Sequence, residues 1–483
     1  MNGLGMCNLR ASALVQCEFH AKLLLPLSKA FWLSVLMKAE KTILILGAGR
    51  SSSSLIQALL EKAEASQWKV AVGDMDVEMA QSKCYGHPCA EWFEIDSKDP
   101  TDRNDRIAKA DLVISMVPAF LHPEIASVAI EAGVPVITPS YVGPEMQALH
   151  ERACEKGVLV LNEIGLDPGI DHLSAAQILD RIRKDGGKIK AFESYCGGLI
   201  APDSDDNPWH YKFSWNPRNV ILAGQAGAAT FLEGGKHCLI PPHRVFKDAR
   251  SIEVAGIPYE GYPNRDSIAY EEKYGLKGVE TLIRGTLRGD GYCSSWDVLV
   301  QLGCVRDDAA MHWVEGISWA IWMRSFLPAR AAELSLRAAI QSVTGASEAC
   351  LDRLEWLGLM RDDIGPARFN GTPARIIQDL LEDKWRLEPT DRDLVVMWHR
   401  FEYEQNGQTH EITSSLVLEG RDATYTAMSD TVGWPMALAA EAILKGAFKR
   451  VGVEVPLHRD YYDVLMPGLE AMGVHFKEEH RSW

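Results

Sequence analysis

The sequence predicts a Rossmann-type α/β domain followed by an α+β domain that carries a helical insertion. Three observations lead there. Up to about residue 166, short continuous apolar runs alternate with segments of helical period, the pattern of a doubly wound parallel sheet. Beyond it, the strand candidates are longer and alternate apolar with polar residues, as in a sheet with one covered face. Residues 292–384 are rich in Ala, Leu and Trp and poor in β-branched runs, which reads as helix.

Taken in order, residues 42–46 (TILIL) form an apolar run expected of a strand buried on both faces. Gly47-Ala48-Gly49 follows at once, and Leu55, Ile56, Leu59 and Leu60 then recur at helical spacing. A second strand covers 68–72 and ends at Gly73-Asp74. Residues 111–117 make a third, closed by Pro118, which cannot continue a ladder. A helix over 125–132, a strand over 134–138, a helix over 145–156 and a strand over 158–161 complete the alternation. In the second part, strands are expected over 188–195, 280–288, 393–404 and 410–419. The last two flank Asn406-Gly407, a strong hairpin signal, and the sheet is read as antiparallel. Residues 431–436 lead into a helix of small residues over 437–444. The division is therefore an N-terminal extension or leader at 1–38, a Rossmann domain at 39–166 regaining a helix near 431–450, an α+β domain at 167–291 and 385–430, and a helical domain at 292–384.

Composition excludes several classes of function. With 50 basic against 66 acidic residues, the net charge of −16 lacks the basic footprint of a nucleic-acid or membrane-surface binder. No apolar run reaches the roughly 20 residues needed to span a bilayer. Ten cysteines in 483 residues are too sparse for a disulfide scaffold, and a reducing compartment is expected. Cys84, His87 and Cys89 lack a fourth ligand at zinc spacing, so no metal is expected. Residues 1–38 carry Arg10, Lys22, Lys29 and Lys38 against Glu18 alone, and Met37 offers a second start. A cytoplasmic protein is expected, with the mitochondrial matrix as the alternative if those residues are a leader.

The chemistry begins at the glycine turn. Gly47-x-Gly49 between a buried strand and a helix suits a dinucleotide pyrophosphate at a helix N-terminus, although Ser52 takes the place of the third glycine. Asp74 at the end of the second strand can accept hydrogen bonds from both ribose hydroxyls and repels a 2′-phosphate. No arginine follows closely, so NAD is favoured over NADP, with Asp76 as an alternative to Asp74 in that role. Met116-Val117-Pro118 ends the third strand at the carboxyl edge, where ligands collect.

Further segments combine unusual backbone chemistry with polar side chains: Thr138-Pro139-Ser140-Tyr141, GLDPGIDH (residues 165–172), SYCGG (194–198), YPNRDS (262–267) and RGTLR (284–288). Together with NPWHYKFSW (207–215), WLGL (356–359) and NEI (162–164) ahead of GLDPGIDH, they stand in the order found in one family. Over about residues 41–476 the chain resembles the glutamate-forming saccharopine dehydrogenases, including the C-terminal half of the bifunctional lysine-degrading synthase. It departs from the family's usual Phe or Tyr after the second glycine, where it has Arg50.

The resemblance implies oxidation of saccharopine, with NAD+ and water, to L-glutamate and 2-aminoadipate 6-semialdehyde in lysine metabolism. Dinucleotide contacts are expected at Gly47, Ala48, Gly49, Arg50, Asp74, Met116, Val117, Pro118, Thr138, Pro139, Leu166, Asp167 and Pro168. Substrate contacts carry over to Ser140, Tyr141, Asp167, Arg265, Thr286, Leu287 and Arg288. Arg265, Arg284 and Arg288 would anchor the three carboxylates, since a guanidinium fork binds a carboxylate in bidentate fashion. Asp167, Tyr141 and Cys196 are the candidates for general acid/base. A homodimer is allowed. Two rival readings remain open at this point: a related opine- or carboxyspermidine-type dehydrogenase, and a non-catalytic dinucleotide-binding sensor.

Overall fold

The computed structural model describes residues 41–225, 227–368 and 370–483, so the expectations for residues 1–38 lie outside the described residues. Seven strands form the first sheet. They are β1 (Lys41–Leu46), β2 (Trp68–Asp74), β3 (Ala90–Glu94), β4 (Leu112–Ser115), β5 (Val136–Ile137), β6 (Leu159–Leu161) and β17 (Gly452–Glu454). Their spatial order is β17-β6-β5-β4-β1-β2-β3, and every pairing is parallel. This is the doubly wound architecture that the alternation predicts. Ile43, Leu44, Ile45 and Leu46 are all buried, as a central parallel strand requires.

Helices α1 (Ser53–Ser66), α2 (Val77–Cys84) and α3 (His122–Ala132) follow β1, β2 and β4. The helix expected over 145–156 is two helices, Pro144–Gln147 and His150–Lys156. Two strands escape the sequence pattern. AEWFE of β3 is a half-buried edge strand, so its apolar run is broken. The three-residue β17 arrives from the far end of the chain.

The second sheet runs β10 (Arg250–Val254), β11 (Ile257–Pro263), β12 (Thr281–Arg288), β7 (Lys188–Ile200), β15 (Asp393–Gln405), β16 (Gln408–Glu419) and β18 (Lys477–Ser482), with β8 (Ala229–Glu233) and β9 (Lys236–Ile240) branching from β12. The expectation of an antiparallel sheet is corrected here. β7 and β12 pair in parallel, with Arg284 opposite Ser194 and Thr286 opposite Cys196, so the sheet is mixed. Side-chain alternation reports a covered face and says nothing of the direction of a neighbour about 90 residues away. The β15–β16 hairpin turns through Asn406 and Gly407, both at positive φ (52° and 77°), as a primed turn demands. The remaining two strands, β13 (Met311–His312) and β14 (Asn370–Gly371), form a small ladder among the helices.

Helix α4 (Ile170–Lys184) runs from the loop after β6, and α5 (Ala427–Leu444) packs on α1. There the Ser54 hydroxyl donates to Asp430 at 2.6 Å. One apolar core joins the two sheets: Ile43, Leu55 and Leu161 share it with Cys196, Val395, Met397 and Met436. A separate core of Trp209, Trp296, Trp322 and Trp385 holds the helical region. No helix among the described residues is long and apolar enough to cross a membrane.

Candidate active site

The loops after β5 and β6, at the carboxyl edge of the first sheet, meet β12 of the second sheet at Arg284. Gly47 has φ +103°, and a Cβ there would lie 2.8 Å from the carbonyl of Met116, so the turn is pressed against the exit of β4. Gly49 faces open space. The helical start at Arg50 and Ser53 has no cap bond from its own N-cap side chains and no acidic residue in its first turn, while Ser54 N–H donates to the Ser429 hydroxyl at 3.1 Å. An uncapped helix start behind an open glycine fits a pyrophosphate. Ala48 is buried, and its N–H donates to Asp74 Oδ2 at 2.5 Å. The other carboxylate oxygen accepts from Asp76 N–H at 2.9 Å. Lys83 of α2 reaches the Gly49 carbonyl and donates to the Ser52 hydroxyl at 3.1 Å. Burial lowers its amine to about 8, even with Asp74 nearby. Arg50 reaches across to the second sheet's side, donating to the Phe213 carbonyl at 3.1 Å.

The loops after β5 and β6 build the next layer. Thr138 is buried, and Pro139 lies against Gly165. Asp167–Pro168 is a cis peptide. Gly169, at φ +147°, sits so close to Gly165 that any Cβ would fall 2.0 Å from its carbonyl oxygen. The loop is thereby folded back on itself, and Leu166 is buried beneath it. This turns Asp167 toward β12. Its Oδ1 accepts from the Tyr141 hydroxyl at 3.1 Å and from Arg284 at 2.8 Å. Arg284 also donates to Asp171 Oδ2 at 2.6 Å and lies over the Tyr270 ring at 4.3 Å. Arg284 is thus spent on two carboxylates and is no free anchor.

The Asp pair splits in its proton affinity. Burial and the charge of Asp171 push Asp167 up to about 6, while Arg284 works the other way. Asp171 is buried too, yet His172 and Arg284 hold its carboxyl low. Burial pushes the Tyr141 phenol far up. Cys196, next to Thr286 on the sheet, is buried, and burial with the charges of Asp167 and Asp171 raises its thiol well above the usual value.

Behind this layer stands a network that the sequence reading did not assign. Glu163, fully buried at φ 56°, accepts from Tyr270 at 2.8 Å, lies 2.7 Å from His172 Nε2, and accepts from Val142 N–H at 3.0 Å. His172 Nδ1 meets the Tyr274 hydroxyl at 2.6 Å. Burial works to raise the Glu163 carboxyl, but His172 and Lys273 outweigh it and bring it to about 2. The only sequence signal for Glu163 is its place inside NEIGLDPGIDH.

At the other end of β12, Arg288 is 3% exposed and makes no ion pair with a carboxylate among the described residues, although Glu260 stands opposite it on β11. Arg288 lies beside the adjoining rings of Tyr211 and Tyr292, at 5.4 and 5.3 Å, and its Nε has no hydrogen-bond partner. Residues 284, 286 and 288 share one face of the strand by its two-residue period. The Leu287 side chain therefore points the opposite way, into a core with Tyr195 and Ile283, and only its backbone remains for a ligand. Arg265 is exposed, sits at φ 61°, and lies 4.8 Å over the Tyr141 ring. Val117 and Pro118 close the β4 exit opposite. Among the described residues no three His, Cys, Asp or Glu side chains are grouped to hold a metal ion; His87 Nδ1 accepts instead from Cys89 N–H at 3.2 Å.

Two family models match the chain. Residues 43–161 match the saccharopine dehydrogenase NADP binding domain, and residues 165–474 match the saccharopine dehydrogenase C-terminal domain. The chain belongs to the saccharopine dehydrogenase family. Within the family it is 35% identical to the saccharopine dehydrogenase [NADP(+), L-glutamate-forming] of Pyricularia oryzae, over 91% of this chain and 99% of that one. It is 34% identical to the enzyme of the same description from Saccharomyces cerevisiae, with the same coverage. A solved apo saccharopine dehydrogenase (L-Glu forming) from that yeast superposes with a TM-score of 0.81 at 33% identity, covering 91% of this chain and 100% of that one. The mitochondrial alpha-aminoadipic semialdehyde synthase of Bos taurus is 32% identical, and the chain spans 48% of its length.

These relatives overturn the preference for NAD over NADP. The matching N-terminal model is an NADP binding domain, and the fungal relatives are named for NADP(+). In the structure each Asp74 carboxylate oxygen accepts one turn N–H, and the Lys83 ammonium stands close by.

Proposed function

We propose that this chain is an L-glutamate-forming saccharopine dehydrogenase that oxidises saccharopine, with a nicotinamide dinucleotide and water, to L-glutamate and 2-aminoadipate 6-semialdehyde in lysine metabolism. NADP(+), the dinucleotide in the names of the fungal relatives, is the cofactor carried over to it. The observation that carries the reading is Arg288: a buried guanidinium that makes no ion pair with a carboxylate among the described residues calls for a ligand carboxylate, because an unpaired buried charge is costly. Saccharopine brings three.

The uncapped helix start behind Gly47 and Gly49 would take the pyrophosphate, and Pro118, Pro139 and Leu166 to Pro168 would line the nicotinamide. The bound dinucleotide supplies a hydride acceptor for the substrate carbon beside the secondary nitrogen. Arg288 and Arg265 would hold carboxylates at the two ends of the cleft, with Ser140 and Thr286 as hydroxyl partners. Asp167 is the proposed acid/base. At neutral pH it is a carboxylate whose pKa of about 6 lets it take a proton from the amine or from the attacking water. It can then return that proton to the departing amine of glutamate. Tyr141 and Arg284 hold it in place. Cys196, kept as a thiol, lines the site beside Thr286.

The direct test is absorbance at 340 nm with saccharopine and each dinucleotide in turn. Reduction dependent on saccharopine is expected. No reduction with either dinucleotide overturns the reading.

A further inference from the structure

His122 takes no part in the chemistry above, yet it is a buried histidine at the carboxyl edge of the first sheet, 3% exposed at the start of α3. Its Nδ1 lies 2.8 Å from the Ser115 hydroxyl at the end of β4. Its Nε2 lies 2.9 Å from the Ser140 hydroxyl and 3.1 Å from the Thr138 hydroxyl, both just past β5. Thr138 Oγ1 also accepts the Ser140 N–H at 3.3 Å. Ser115 and Thr138 are fully buried, whereas Ser140 is half-exposed and so stands at the mouth of the cleft. The imidazole thus ties the hydroxyl that faces the ligand to two that do not.

The geometry points to His122 as a positioning residue that turns the Ser140 hydroxyl so that its proton faces a carboxylate of the substrate. Burial pushes the imidazole down to about 4, so near neutral pH the ring is uncharged, with one donor and one acceptor nitrogen. With the Ser115 hydroxyl donating to Nδ1, the Nε2–H is directed at Ser140 Oγ and shared with Thr138 Oγ1. Ser140 Oγ then serves as the acceptor inside the protein, which leaves its own proton for an anionic ligand. In the reverse tautomer Nε2 accepts, and where Ser140 at 2.9 Å is the donor rather than Thr138 at 3.1 Å its proton is consumed and only lone pairs face the carboxylate. Of the ring's three hydroxyl partners, only Ser140 reaches the cleft, so any effect of His122 on the substrate must pass through it.

This inference rests on saccharopine being the substrate, and a double-mutant cycle separates the two. In the unmodified chain saccharopine is expected to be turned over; absence of turnover overturns the proposed function and this inference together. Ser140→Ala and His122→Leu are each expected to raise KM for saccharopine about tenfold, the loss of one hydrogen bond to a charged group. The KM for the dinucleotide is expected to stay within roughly threefold. The double variant is expected to be no worse than either single one, since both remove the same donor. His122→Gln, whose amide N–H reaches toward the Nε2 position, is expected to keep KM within roughly threefold of the unmodified chain. A merely structural histidine would lower the fraction of folded enzyme, and with it Vmax, while KM stayed put. An unchanged KM in His122→Leu, or fully additive effects in the double variant, overturns the inference while leaving the proposed function standing.

Discussion

Arg288 and Asp167 are the two residues whose surroundings say most about chemistry. Arg288 stands beside two aromatic rings and donates to a backbone carbonyl, and among the described residues it makes no ion pair with a carboxylate, although Glu260 stands opposite it on β11. Arg288→Ala is expected to raise KM for saccharopine by one to two orders of magnitude, from a charged hydrogen bond of roughly 1.5–3 kcal/mol. Initial rates over a wide substrate range check this, and Arg265→Ala is expected to cost less because that side chain is exposed. Asp167 has its proton affinity raised by burial, so its carboxylate form appears as pH climbs through about 6. The saccharopine kcat/KM is therefore expected to rise with pH across that value. Asp167→Asn is expected to abolish that limb of the profile along with most of the turnover.

Two elements set the geometry of the site. The loop from Glu163 to Gly169 carries Asp167 and is pinned from behind by Glu163, His172, Tyr270 and Tyr274. Glu163 has a folded-state value near 2, below its ordinary 4.5, so the stability it contributes is present in full above about pH 4.5 and is lost as pH falls toward 2. Glu163→Gln is expected to lower stability at pH 7 by about 3 kcal/mol, with the gap from the unmodified chain closing in acid. Urea melts at pH 7 and pH 3 would show it. The second element is the β1–α1 turn. Gly47→Ala meets both a left-handed φ and the Met116 carbonyl, so it is expected to cost about 2 kcal/mol and to weaken dinucleotide binding. Thermal melts and fluorescence titration with the dinucleotide check the two effects separately.

At the scale of the molecule, the parallel sheet is not self-sufficient in sequence. Its edge strand β17 and the helix α5 that covers α1 both come from beyond residue 426. One apolar core contains Ile45, Leu59 and Leu161 together with Val395, Met436 and Ala440. Residues 41–166 expressed alone are therefore expected not to fold, because the α1 face and one sheet edge would be left bare. A random-coil circular dichroism spectrum of that fragment, beside a folded full chain, is the expected result.

What the sequence determined by itself follows local rules. The β1 apolar run, the Gly47-x-Gly49 turn, the Asn406-Gly407 hairpin and the period of β12 are all set within a few residues, and each is found where the pattern puts it. The motif strings placed Asp167, Arg265 and Arg288 in one family's order for the same reason: they are contiguous. What only the tertiary structure decided depends on residues far apart in the chain. The parallel pairing of β7 with β12, the arrival of β17, the engagement of Arg284 by Asp167 and Asp171, the burial of Leu287 away from the cleft, and the tie from His122 to Ser140 are of this kind. The role of Asp74 belongs with them. Which turn N–H groups its carboxylate serves is visible only in the fold. A side chain's neighbours fix its charge and free valences, and folding alone chooses those neighbours.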